Sequence, residues 1–227
     1  YLEFQLPDVN VLKTVQMQVP LRIYSQNDQL IAEYGSLRRT PVSLRQIPPE
    51  LIKAVLASED ARYYEHPGVD FIGIIRAAAA VIASGKIVQG ASKITMQVAR
   101  NFILTRKKTY SRKIKEILLA LKIDKELSKD KVLELYLNKV YFGKHAYGVA
   151  AAAQVYYGKQ LNDLTLAQMA MIGGLPQAPS RNNPINNPAQ ALKRRNHVLW
   201  RMQKVNFITP EHYQQAIKEP ITATFHG

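Results

Sequence analysis

The chain contains no cysteine, which excludes disulfides and any thiolate metal site and leaves the redox compartment open. Acidic residues are scarce: 17 Asp and Glu stand against 31 Lys and Arg, a formal net charge of +14. So large an excess speaks for anionic partners, whether nucleic acid, phosphorylated substrates or acidic lipid. The five histidines, His66, His145, His197, His212 and His226, show no H-E-x-x-H spacing, so nothing supports a zinc site. No Walker-type phosphate loop occurs either. No stretch reaches the roughly 20 apolar residues of a membrane-spanning helix. The nearest, residues 71–83, is broken by Gly73 and Arg76. There is no repeat of fixed period.

What is present suits a folded protein. At 227 residues the chain fits one domain or one and a half and can bury a proper core. Its 47% apolar and 21% charged content is ordinary for a globular domain. It begins with Tyr1 rather than Met and reads as a trimmed piece whose missing front could have held a targeting or membrane segment.

VPLRIYSQNDQLIAEYG reads as two short strands around a polar turn at residues 26–29. From Leu44 onward the periodicity is helical nearly to the end. Pro48 and Pro49 open a helix with an apolar stripe of Leu51, Ile52, Val55 and Leu56. Asp70 can cap FIGIIRAAAAVIAS, which Gly85 closes. That helix has two readings: a buried core helix, or one that dips into a membrane interface with Arg76 and Lys86 reaching back to headgroups. Ser92 can cap a third helix to about Phe102. A fourth spans about 109–127, and Ser128 starts KDKVLELYLNKV. AYGVAAAAQVYYG ends at Gly158. Thr165 and Gln168 form a capping box, GLPQAPSRNNPINNP is an irregular loop, and two last helices cover 189–205 and a segment opened by Thr209-Pro210. The fold expected is mainly α with a short N-terminal β hairpin.

Three constellations can carry chemistry. Glu59 continues the stripe of residues 52, 55 and 56 rather than the wet side, so its carboxylate is partly desolvated and suited to general acid or base work. A plainer reading pairs it with Arg62 or His66. In QGASKITMQVARN, the Ser-capped helix start suits a phosphate, and Lys93, Gln97, Arg100 and Asn101 recur as one polar face. That face could equally be solvated. In TRKKTYSRKIKE, Arg112, Lys113 and Glu116 share a side and could hold a diphosphate, directly or through a metal ion. Basic runs more often form a solvated or nucleic-acid-facing surface. Ser128 to Lys131 spells S-x-x-K, the signature of an acyl-transfer serine, yet S-D-N and K-T-G are missing and Ser128 reads as a helix cap.

In this order the blocks resemble the peptidoglycan glycosyltransferase domain of class A penicillin-binding proteins. EDARYYEHPG, residues 59–68, is similar to E-D-x-x-F-x-x-H-x-G with Tyr63 for Phe. GASKITMQVARN, 90–101, is similar to G-x-S-T-x-T-Q-Q-x-x-K-N. RKIKE, 112–116, matches R-K-x-x-E, and KVLELYLN and GLPQAPS continue the likeness. The chain departs from the pattern at Lys93 for Thr, Met96 for Gln and Arg100 for Lys. Arg100 keeps the charge, Met96 matters little if it faces the core, and Lys93 puts a long cation where a hydroxyl is usual.

The resemblance implies a lysozyme-like two-lobed helical domain over residues 45–218. A linker and hairpin (1–44) would follow a removed membrane anchor, and 219–227 would begin the linker to an absent transpeptidase domain. It implies polymerisation of lipid II into β-1,4 glycan strands, with inversion and release of undecaprenyl diphosphate, at the periplasmic face of the bacterial inner membrane. Glu59 would be the general base. Arg112, Lys113 and Arg100 would take the leaving diphosphate, with Glu116 orienting them or holding a divalent cation, Mg or Mn. Asp60, Ser92, Lys93, Gln97 and Asn101 would line the sugar and diphosphate sites. Partners implied are lipid II, the growing glycan and the membrane surface, with no nucleic acid. The rivals are a lysozyme-like glycan hydrolase, which needs a second carboxyl placed for water; a nucleic-acid-binding module resting on charge alone; and a non-catalytic domain that binds an anionic ligand.

Overall fold

The structure, a computed structural model, describes residues 6–15, 21–27, 29–34, 40–84, 92–104 and 110–226. Among these it contains nine α-helices and two small antiparallel sheets. The described residues fall into two compact units, one drawn from 1–15 and 59–136, the other from 16–58 and 137–227.

The second unit carries the expected hairpin, β1 (Leu21–Tyr24) against β2 (Leu30–Tyr34), with Leu21 opposite Tyr34. Its turn is tied by Ser25, whose amide donates to the Gln29 carbonyl at 2.7 Å and whose hydroxyl accepts from the Gln29 amide at 3.0 Å. Helix α1 (Pro49–Glu59) begins at the predicted proline. All of it but Glu59 belongs to this unit. Ala54 and Ala57 pack into a core with Ala167, Ala170, Val198, Leu199 and Met202, from α7 (Leu166–Gly174) and α8 (Pro188–Lys204). Small residues permit the close approach of α1 and α7: a Cβ on Gly173 would lie 2.9 Å from the Ala54 carbonyl carbon. The capping box at Thr165 and Gln168 forms as predicted. Helix α6 (Val149–Tyr157) ends at Gly158, whose φ is +60°, and α9 (Pro210–Ala216) opens at Thr209. A second hairpin, β3 (Tyr141–Gly143) with β4 (Ala146–Tyr147), interrupts the expected helical run.

The first unit is built from α2 (Phe71–Ser84), α3 (Ile94–Phe102), α4 (Tyr110–Glu126) and most of α5 (Lys129–Lys139). Val69, Met96 and Ala120 form one buried cluster in it, with Ile74, Ile117 and Leu121 packed around them. Met96 therefore does face the core. Asp70 caps α2 as predicted, accepting from the Gly73 amide at 2.8 Å, and Ser128 accepts from the Lys131 amide at 3.2 Å at the head of α5. Gly85 and Lys86 lie outside the described residues. The reading of α2 as a buried core helix is overturned: Phe71, Ile72, Ile75 and Ile82 are 47, 62, 69 and 86% exposed. Apolar composition alone says that a face wants to leave water. It does not say what covers it.

Candidate active site

Two adjacent carboxylates leave the end of α1 in different directions. A helix C-terminus is the negative end of the dipole, and two arginines of α8 offset it just before the acids. Arg201 Nε donates to the Ala57 carbonyl at 3.2 Å, and Arg194 Nη2 donates to the Ser58 hydroxyl at 2.7 Å. Asp60 then turns inward and is fully buried. Its two oxygens lie 2.9 and 3.0 Å from His66 Nε2, which carries the proton because a carboxylate only accepts. Asp60 Oδ2 also accepts from the Ile94 amide at 3.4 Å.

That last contact corrects one expectation. Ser92 does not cap α3; Lys93 occupies the cap position and makes no side-chain cap bond. A carboxylate arriving from elsewhere in the sequence takes the free amide instead and meets the positive end of the helix. The plainer pairing of Glu59 with Arg62 or His66 is also redirected: His66 serves Asp60, and Arg62 forms an ion pair with Asp70.

Glu59 is half-buried. Its Oε2 accepts from Gln97 Nε2 at 3.2 Å, and the same amide nitrogen reaches the Ser92 carbonyl at 3.3 Å. The Ser92 hydroxyl in turn accepts from Lys113 Nζ at 2.6 Å. Lys113 also binds Glu116 Oε2 at 3.0 Å, and Arg112 Nε lies 3.4 Å from Glu116 Oε1. A continuous polar line thus runs from Glu59 through Gln97, Ser92 and Lys113 to Glu116 and Arg112. Every member lies in one unit. Lys93 Nζ approaches the Glu59 carbonyl at 3.5 Å. Gln97 and Arg100 share the predicted polar face of α3, both half-buried, and Asn101 is exposed at its far end.

Glu116 is 1% exposed and holds two cations that keep exposed surface, 44% for Lys113 and 22% for Arg112. A buried carboxylate clamped between two basic side chains fixes their heads in place at little further entropic cost. The residues around Glu116 do not fit a protein-held divalent cation. Both its oxygens face cationic nitrogens, and no three His, Asp or Glu gather anywhere among the described residues.

The loop from Asp60 to Asp70 is pinned by the residues that define its sequence block. Tyr63 is buried, and its hydroxyl donates to the Lys129 carbonyl at 2.7 Å. Lys129 Nζ sits 4.9 Å above the Tyr63 ring and pairs with Asp124. Burial, joined by the charges of Asp124 and Asp60, drives the Tyr63 phenol far above its ordinary range. Gly68 has φ +77°, and a Cβ there would stand 2.5 Å from the Ala120 carbonyl oxygen. The glycine of the block is therefore needed for close approach to α4. Missing from the residues singled out in the sequence is Tyr136, inside KVLELYLN. It is fully buried. Burial, then the charge of Glu59, pushes its phenol well up, while Arg100 acts against them. Its apolar spacing on α5 hid it.

The profile of the transglycosylase family matches residues 27–203. Penicillin-binding protein 1A of Pseudomonas aeruginosa is 53% identical over 226 residues, covering 100% of this chain and 28% of that protein. Penicillin-binding protein 1A of Escherichia coli is 54% identical over 227 residues, covering 100% of this chain and 27% of that protein. The chain thus spans little more than a quarter of the length of these relatives. The 2.6 Å crystal structure of penicillin-binding protein 1A from Haemophilus influenzae superposes with a TM-score of 0.54 at 33% identity, covering 94% of this chain and 22% of that one. The chain belongs to the transglycosylase family.

Proposed function

We propose that this domain polymerises lipid II, with Glu59 as general base and the Arg112–Lys113 pair receiving the leaving diphosphate. The observation that carries the reading is the bonded line from Glu59 through Gln97 and Ser92 to Lys113. A proton acceptor and a cation pair are linked by short polar contacts inside one unit, as a displacement with an anionic leaving group requires. Glu59 removes the proton from the 4-hydroxyl of the acceptor N-acetylglucosamine. That oxygen attacks the anomeric carbon of the donor N-acetylmuramic acid as the bond to the diphosphate oxygen breaks. A single displacement converts the α-linked donor into a β-1,4 link. General-base help supplies roughly 10²–10⁴-fold, and the fixed cations stabilise charge on the departing diphosphate. Lys93, Arg100 and Asn101 extend the polar face along which sugars and phosphates bind. Asp60, already committed to His66 and α3, supports the site rather than touching substrate.

Hydrolysis of finished glycan is disfavoured by the same contacts. A second carboxyl would have to activate water, yet Asp60 is taken up by His66 and Glu116 by two cations. The exposed apolar row Phe71, Ile72, Ile75 and Ile82 beside exposed Arg76 supports seating of α2 in the bilayer interface, on the periplasmic side of the inner membrane where lipid II is used. The +14 charge suits an anionic membrane surface. In the parent protein this domain is joined to a transpeptidase domain. The test is Glu59→Gln assayed with lipid II: polymerisation should fall by about 10² or more with the melting temperature held. A fall of less than about tenfold refutes the base assignment.

A further inference from the structure

The last turn of α1, which ends in Glu59, carries no cation of its own, although the final carbonyls of a helix have no partners within it. Two arginines of α8 reach this end. Arg194 and Arg201 stand two turns apart on one face of α8, with Val198 between them. Arg201 Nε donates to the Ala57 carbonyl at 3.2 Å. The Arg194 guanidinium makes two bonds at once: Nη2 donates to the Ser58 hydroxyl at 2.7 Å, and Nε donates to the Gly174 carbonyl at 3.0 Å, at the end of α7. Gly174 leaves room for the arginine stem, since a Cβ there would press on Arg194 Cγ at 3.0 Å and on Val198 Cγ2 at 3.1 Å. All of these contacts lie within the second unit. We propose that Arg194, with Arg201 beside it, is a positioning residue for polymerisation. It fixes the rise and rotation of the last turn of α1, and so the point from which the Glu59 side chain starts. The proposal rests on the assignment of Glu59 as general base.

Apolar packing does not fix that point. The buried cluster joins Ala54 and Ala57 of α1 to Val198, Leu199 and Met202 of α8, and such contact is non-directional, so it resists separation better than sliding or rotation. Hydrogen bonds have preferred angles and do resist both. A guanidinium suits the task because its planar fork holds two acceptors in a fixed relation, here the ends of α1 and α7. A lysine ammonium on its flexible stem does not reproduce this. Ser58 immediately precedes Glu59, so almost no chain lies between the anchor and the base to absorb slack. Catalysis is sensitive to such slack: a misplacement of about 1 Å can cost about 10²-fold.

The experiment measures kcat and KM for lipid II polymerisation by the intact protein, together with thermal melting. The variants are Ser58→Ala, Ser58→Thr, Arg194→Lys, the double variant Ser58→Ala with Arg194→Lys, and Glu59→Gln. Ser58→Ala and Arg194→Lys should each lower kcat about tenfold, part of the penalty for a full misplacement, with KM within about twofold. Melting should fall by only about 1–6 °C, as for one lost hydrogen bond, so both stay folded at an assay temperature well below it. Because the two side chains act through one contact, the double variant should also lose about tenfold, not the roughly hundredfold of independent effects. Ser58→Thr keeps the hydroxyl and should hold kcat within about twofold of wild type. A merely structural role would shift melting and leave kcat of the folded protein unchanged. That result in both single variants overturns the proposal, as does a roughly hundredfold loss in the double variant. Should Arg194→Lys fail to fold, Ser58→Ala decides alone, and an unchanged kcat overturns the proposal. If Glu59→Gln stays active, the reading of the base fails and the positioning role fails with it. If Glu59→Gln is inactive while Ser58→Ala and Arg194→Lys turn over as wild type does, only the positioning role has failed.

Discussion

Replacing Asp60 by Asn separates the two neighbouring acids by a measurement that does not involve catalysis. The carboxylate of Asp60 receives His66 Nε2 on both oxygens and the Ile94 amide on one. An asparagine keeps a single acceptor, so its NH₂ group faces either the imidazole N–H or the head of α3. One buried donor is then left without a partner, at about 1–3 kcal/mol. Removing the negative charge from the first amide of α3 adds about 0.3–1 kcal/mol. The total is about 1–4 kcal/mol, and for a chain of this size each kcal/mol moves the midpoint by roughly 2–4 °C. Asp60→Asn should therefore melt about 3–16 °C below wild type by calorimetry. Glu59→Gln, which keeps an acceptor for the bond from Gln97, should melt within about 2 °C of wild type.

The contrast is what counts. Asp60→Asn should lose activity in proportion to lost fold and recover part of it on cooling, whereas Glu59→Gln should be inactive and well folded. If Asp60→Asn instead melts with wild type and loses affinity for substrate, the carboxylate serves a ligand and not His66 and α3, and the division of roles is wrong.

The other expectations concern the loop that Asp60 begins. Gly68→Ala forces a side chain into a φ of +77° and a Cβ against the Ala120 carbonyl, which should cost about 3 kcal/mol or more. A melting curve matching wild type would show that the loop and α4 can separate freely. Asp70 titrates low: burial alone would raise its pKa, but the Gly73 amide and the Arg62 guanidinium outweigh it. A lowered folded pKa gives stability that is present above the unfolded value near 3.9 and is lost as pH falls through the folded one. Asp70→Asn should therefore be less stable than wild type by about 1 kcal/mol at pH 7. The gap should close below about pH 4, and a gap constant from pH 7 to pH 3 contradicts the ion pair.

Elements whose signals are local were legible in the sequence. The proline start of α1, Asp70 on α2, Ser128 on α5 and the Thr165–Gln168 box each depend on residues within one turn. The β3–β4 hairpin was not legible. Its turn places Lys144 and His145 at φ +49° and +60°, where two-residue hairpin turns ordinarily use Asn or Gly, so the usual punctuation is missing. The cap of α3 failed for a different reason. Serine is a good local cap, but a buried carboxylate 34 residues away in sequence takes the Ile94 amide, and no local pattern announces that. The site was legible in its blocks and their order. The wiring from Gln97 to Ser92 to Lys113 was not, because each link joins residues whose spacing the sequence leaves open.

The placement of two acids at a helix end follows from that wiring. Consecutive residues on a helix do not face the same way, so where α1 stops, one position turns inward and the next-door one does not. The inward acid can be buried because His66 and a helix terminus compensate it. The other stays half-buried, accepts from the Gln97 amide, and keeps enough exposure to exchange a proton. A carboxylate in the inward position is instead taken up by His66 and the Ile94 amide. Which acid stands where therefore matters more than how many there are. The paired exchange Glu59→Asp with Asp60→Glu conserves charge and composition. Yet it draws the carboxylate proposed as the base back by one methylene, where small misplacements are costly, and forces a methylene into the packed space beside His66, so polymerisation and the melting temperature should fall together.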